Sequence, residues 1–133
     1  MASVVADTHA AAWYLLQSFR LSVTARNRMA AAIAAGDPIL VPSISVVELV
    51  YLVEKGRIPR PDWEQLQAAL EQEDSGFRVV SLDEAIARAV ERVPRHQVPD
   101  MPDRIIAATA LHLGLPLVTR DGQIRATGLD VIW

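Results

Sequence analysis

Short apolar runs recur along this chain, and polar or turn residues close each of them. Ser3 to Asp7 and Ile39 to Val41 are brief, β-branched and closed by polar or turn residues, so they predict buried strands, and Phe77 to Val80, Pro116 to Thr119 and Asp130 to Trp133 predict three further strands. The segments between them predict helices. One runs from about Thr8 to Gln17, and a second is capped by Ser22 and stopped after Ala35 by Gly36. A third, through Val53, is capped by Ser43 or Ser45. Gly56 and Pro59 break the chain, Pro61 opens a helix to about Glu73, and Asp83 to Val93 forms the next. The proline-rich stretch Pro94 to Pro102 predicts a loop, and Asp103 to Leu113 the last helix.

Short, mostly apolar strands that alternate with helices predict an α/β domain: a central, short-stranded parallel sheet flanked by helices on both faces, in three α/β/α layers. Ligands of such sheets bind outside the carboxyl ends of the strands, where the strand order reverses. A chain of 133 residues suits one domain, residues 1–133. Its hydrophobic content of 51% excludes a disordered chain and leaves apolar surface for a partner or a second copy. Without cysteine there is no disulfide framework, thiolate nucleophile or cysteine zinc site. The apolar start, Met1 to Leu16, lacks a basic leader and contains Asp7 and His9, and no apolar run reaches the roughly 18 residues of a membrane span, so a cytoplasmic protein is expected. A net charge of −3 gives no general electrostatic signature of nucleic-acid binding.

Acidic residues sit where the apolar runs stop. Asp7 closes the first strand, Glu48 lies inside the apolar helix Ile44 to Val53, Asp103 opens the last helix, and Asp121 follows the fourth strand. Each has a plain structural explanation. Asp7 can cap a helix, Glu48 can close a capping box with Ser45, Asp103 can complement a helix dipole, and Asp121-Gly122 is a turn signal. Together, on the rim of a parallel sheet, they become a set of oxygen donors whose mutual repulsion a divalent cation would relieve. Mg²⁺ or Mn²⁺ in such a site favours phosphodiester hydrolysis.

Asp7-Thr8-His9 with Trp13, Ser45-Val46-Val47-Glu48, the run from Pro102 to Ala110, Leu117-Val118-Thr119-Arg120-Asp121 and the Val131-Ile132-Trp133 ending together resemble a PIN domain. More narrowly, they are similar to the VapC-type toxin ribonucleases of type II toxin-antitoxin systems. The resemblance spans almost the whole chain. It implies a metal-dependent endoribonuclease with Asp7, Glu48, Asp103 and Asp121 as the catalytic, metal-holding acids, Thr119 as a supporting hydroxyl, and Mg²⁺ or Mn²⁺ as cofactor. It further implies 5′-phosphate and 3′-hydroxyl products, a homodimer, and a cognate antitoxin whose tail blocks the acidic cleft. Asp100 stands close enough to Asp103 to assist or replace it.

The basic residues divide between two roles. Arg104 and Arg120 each adjoin an acid of the cluster and either grip RNA phosphates or offset acidic charge. Lys55, Arg57 and Arg60 follow the helix of Glu48 and form either a basic lip over the cleft or a solvated loop. His9 is read as packing at the start of its helix, because Mg²⁺ prefers oxygen. Trp13, Tyr14 and Trp63 suit packing more than base stacking. The competing function is a non-catalytic PIN-like module whose acidic cleft docks a basic partner.

Overall fold

The computed structural model describes residues 3–125 and 127–133; Met1, Ala2 and Ala126, which the single-domain expectation includes, lie outside them. Five strands, β1 (Val4–Ala6), β2 (Ile39–Pro42), β3 (Phe77–Val80), β4 (Leu117–Val118) and β5 (Val131–Ile132), form one sheet in the order β3-β2-β1-β4-β5. Every pairing is parallel, with Val4 opposite Ile39, Val5 opposite Leu117 and Ala6 opposite Val118. The chain builds outward from β1 in one direction through β2 and β3, then returns to the other side of β1 with β4. That reversal opens a crevice beyond the ends of β1 and β4.

Side-chain alternation along the strands separates two cores. Val4, Ala6, Ile39, Val41 and Val118 face α1 (Thr8–Leu15) and α2 (Val23–Ala34), where Ala10, Ala11, Ala25, Met29 and Ala32 complete a buried cluster. Val5, Leu40 and Leu117 face the other way, toward α5 (Glu84–Ala89) and α6 (Met101–Leu113). Strands buried on both faces need no polar alternation, which is why they read as continuous apolar runs. Alanines along α1 let it lie close to the sheet. A third, smaller cluster of Ala12, Leu49, Trp63 and Leu66 joins α1 to α3 (Ser43–Glu54) and α4 (Arg60–Glu71). Gly114, in the left-handed conformation with φ +67°, ends α6 and turns the chain into β4.

The helix starts differ from expectation in three places. α6 begins at Met101, and its cap is Asp100, whose Oδ2 accepts from the Asp103 N–H at 3.1 Å. Pro102 sits in the first turn, where its missing N–H is not needed, so it belongs to the helix rather than to the loop before it. α3 begins at Ser43 without a side-chain cap, and Ser43 Oγ instead accepts from the Leu82 N–H at 3.0 Å. Ser45 is buried with an Oγ that lacks a hydrogen-bond partner, so no capping box with Glu48 forms. Finally, Asp121-Gly122 is more than a turn: Asp121 Oδ1 accepts from the Gln123 N–H at 2.9 Å, and the short α7 (Gly122–Arg125) follows.

Candidate metal centre

Asp7 is the first residue past β1. Its N–H donates to the Val118 carbonyl at 3.1 Å, which extends the ladder one step and points the side chain into the crevice. One carboxylate oxygen caps α1 by accepting from the Ala10 N–H at 2.8 Å. Capping and cleft placement are therefore both realised in one side chain. Thr119, buried just past β4, hydrogen-bonds the Asp7 carboxylate and accepts from the Asp121 N–H at 3.1 Å. This hydroxyl ties two acids to one point. Burial nevertheless pushes the Asp7 carboxyl above its ordinary value of 3.8, against the opposing pull of Thr119, the Ala10 N–H and His9.

Glu48 reaches the same region from α3. The buried Thr8 hydroxyl donates to Glu48 Oε1 at 2.6 Å, a hydrogen bond that joins α1 to α3 and aims the carboxylate. Asp103 links the group. It lines a cavity of ≈ 310 Å³ together with Asp7 and Asp121, and its carboxylate oxygen lies within 4.8 Å of one from Glu48 and one from Asp100. Partial burial, then repulsion from Asp100, Glu48, Asp121 and Asp7, raises its carboxyl from 3.8 to about 7.

The structure thus joins the four expected acids through Asp103, which shares a cavity with Asp7 and Asp121 and lies within 4.8 Å of Glu48 and of Asp100, an acid added to the set. Among the described residues no basic side chain forms an ion pair with any of them, and two of them resist ionisation. Such an all-oxygen donor set suits Mg²⁺ or Mn²⁺. A hard divalent cation would supply the positive charge that no ion pair brings to these carboxylates among the described residues.

The basic residues separate more sharply. Arg104, one residue after Asp103, donates from Nε and Nη2 to the Val93 carbonyl at 3.1 and 2.8 Å and from Nη2 to Val90 at 2.9 Å. It staples α6 to the 3₁₀ turn Val90–Arg92 and its end. Arg60 lies 3.9 Å from Glu64 on the exposed face of α4. Arg120, by contrast, lines the acidic cavity with its guanidinium carbon 5.1 Å from the centre of the Trp13 ring.

Trp13 also meets His9 at 5.3 Å and Trp133 at 6.0 Å between ring centres, so one wall of the cavity is aromatic. Lys55 lines an adjoining, mainly apolar hollow of ≈ 350 Å³ with Glu48, Tyr51 and Met101. Arg57 lines a third, of ≈ 420 Å³. Arg20, also on that third hollow, stood out from nothing in the sequence, because it belongs to a turn distant along the chain from every acid of the cluster. The Thr8 to Glu48 hydrogen bond was equally hidden, since Thr8 reads as half of a cap; its position directly after Asp7 was the available signal.

The family model described as the PIN domain matches residues 4–129. Ribonuclease VapC22 of Mycobacterium tuberculosis is 33% identical over 130 residues, covering 95% of this chain and 92% of that protein. Among solved structures, VapBC2 from Rickettsia felis bound to a DNA fragment from its promoter superimposes with a TM-score of 0.73 at 15% identity, covering 97% of this chain and 96% of that one. DNA-bound VapBC from Salmonella typhimurium superimposes with a TM-score of 0.68 at 20% identity, covering 98% and 97%. At those identities the structural likenesses show a common fold.

Proposed function

Because the chain belongs to the PIN-domain family, we propose that it is a metal-dependent endoribonuclease, the toxin of a toxin-antitoxin pair, which hydrolyses RNA phosphodiester bonds until a cognate antitoxin neutralises it. Asp103 at the meeting point of two acidic groups, with Asp7 and Asp121 on one cavity and with Glu48 and Asp100 within 4.8 Å of its carboxylate, carries this reading. A relative named as a ribonuclease, with high coverage on both sides, supports the substrate. Structural neighbours described as VapBC complexes support the antitoxin.

In this reading Asp7, Asp103, Asp121 and Glu48 hold Mg²⁺ or Mn²⁺, with Asp100 beside them. The bound cation would supply Lewis-acid polarisation of the phosphoryl oxygen and a lowered pKa for the attacking water. The protein's own contribution is orientation. Thr119 fixes Asp7 against Asp121, and Thr8 fixes Glu48, so the carboxylates are arranged before the substrate arrives. Below about pH 7 Asp103 holds a proton on its carboxylate, and loading the site releases it. Arg120 at the cavity, Lys55 beside Glu48 and Arg57 further out are the cations placed to meet phosphates. We also assign a homodimer, which the exposed apolar side chains of Phe19 and Val23 support.

The test is cleavage of a labelled RNA by the purified chain. Cutting is expected with Mg²⁺ or Mn²⁺, and Asp7→Asn with an unchanged circular dichroism spectrum should cut at less than about a hundredth of the wild-type rate. A docking module would cut nothing and bind its partner equally with or without Mg²⁺. That result would replace the enzyme reading.

A further inference from the structure

The third hollow begins where the acidic cleft ends. Thr8, His9 and Trp13 stand on its inner edge, and His9 and Trp13 line the acidic cavity as well. From there it runs between α1 and the loop joining α3 to α4, over an apolar floor that includes Leu16, Leu49 and Ile58. Its volume, ≈ 420 Å³, is within the range of small-molecule sites. Arg20 and Arg57 stand along it, and among the described residues neither guanidinium has a hydrogen bond or an ion pair.

Both arginines rise from pinned backbone. The Arg20 N–H donates to Ser18 Oγ at 3.2 Å, while Arg26 Nη2 holds the Ser18 carbonyl at 2.7 Å. The Arg57 N–H donates to the Leu52 carbonyl at 2.8 Å. Asp62 shares the hollow yet pairs with neither arginine.

We propose that this hollow seats an unpaired nucleotide flanking the scissile bond, with its base on the apolar floor and its backbone phosphates on Arg20 and Arg57. The inference rests on the ribonuclease reading and adds where the strand runs. An RNA strand gains affinity with each phosphate whose counterions the protein's own cations replace. A cation among the acids would serve the scissile phosphate, and cations on the protein beside it would add affinity at the next phosphates. Arg20 and Arg57 supply them on a surface continuous with the cleft. A basic peptide would meet like charge at the same place.

Binding of a fluorescently labelled, mixed-sequence single-stranded RNA, measured by anisotropy in Ca²⁺ over a range of salt, tests the assignment. In R20Q/R57Q the slope of log affinity against log salt should become shallower by about 0.7 for each phosphate that is no longer neutralised. In Mg²⁺ the KM for RNA cleavage should rise roughly tenfold with kcat unchanged. R20K/R57K, which keeps both charges, should retain the wild-type slope. Wild-type slope and KM in R20Q/R57Q overturn the proposal, as does a lysine variant as defective as the glutamine one. Unchanged RNA binding with weakened affinity for a purified antitoxin assigns the hollow to protein and also overturns it. A wild type that cuts RNA while the arginines are silent leaves the ribonuclease reading intact; a wild type that neither binds nor cuts RNA removes both.

Discussion

Replacing Asp103 by asparagine should stabilise the protein in the absence of metal while destroying its use. The Asp103 carboxyl is raised from 3.8 to about 7, first by burial and then by repulsion from Asp100, Glu48, Asp121 and Asp7. Three pKa units correspond to about 4 kcal/mol at about 1.4 kcal/mol per unit. The side chain is only partly buried, and screening reduces the figure to about 2 kcal/mol. The sign follows from proton binding. Between 3.8 and about 7 the folded state holds the proton and the unfolded state does not, so this group's contribution to stability is present below 3.8 and lost as pH rises through about 7. Asparagine carries no charge at any of these pH values.

Asp103→Asn in EDTA should therefore melt about 6 °C above wild type at pH 8, with the difference shrinking below pH 7 and vanishing near pH 4. Millimolar Mg²⁺ should raise the wild-type Tm and leave the variant nearly unmoved. Differential scanning calorimetry across that pH range decides the matter. A variant less stable than wild type at pH 8, or a difference independent of pH, would refute the claim that these carboxylates repel one another.

Thr119→Val removes the hydroxyl that holds Asp7 down and accepts the Asp121 N–H. Its Mn²⁺ affinity, followed by titration calorimetry from pH 5 to 8, should fall, with the onset of binding displaced to higher pH; wild-type behaviour would show that the hydroxyl does not set the Asp7 charge. Arg104→Gln strips the donors from the Val90 and Val93 carbonyls and should cost about 2 kcal/mol of stability, read as a lower Tm, with KM for RNA unchanged. A raised KM with an unchanged Tm would return Arg104 to the substrate. Thr8→Val frees Glu48 and should weaken metal binding severalfold by titration calorimetry, whereas unchanged affinity would place Glu48 outside the metal shell.

What the sequence disclosed follows from where the physics is local. The first two strands were legible because burial on both faces leaves uninterrupted apolar runs. The four acids were legible because each ends, interrupts or opens an apolar run, and the sheet's reversal at β1 then sets Asp7 and Asp121 on one rim. Asp100 and Asp103 were hard to separate because a proline in a helix's first turn reads equally well as the end of a loop. Glu48 looked like half of a capping box, and the start of α3 at Ser43 with the unpartnered Ser45 hydroxyl removes that option. The arginines were the least legible. Arg104 and Arg120 each adjoin a cluster aspartate, yet one grips carbonyls beyond α5 while the other lies on Trp13. Tertiary packing alone distinguishes them.

Anomalous diffraction from crystals grown with Mn²⁺ would locate the metal among the acids or deny it. A manganese peak is expected among the carboxylates of Asp7, Asp103 and Asp121, toward Glu48, and it should disappear in Asp7→Asn crystals. A well-ordered cleft without such a peak at millimolar Mn²⁺, or manganese bound only elsewhere on the protein, would contradict the metal centre.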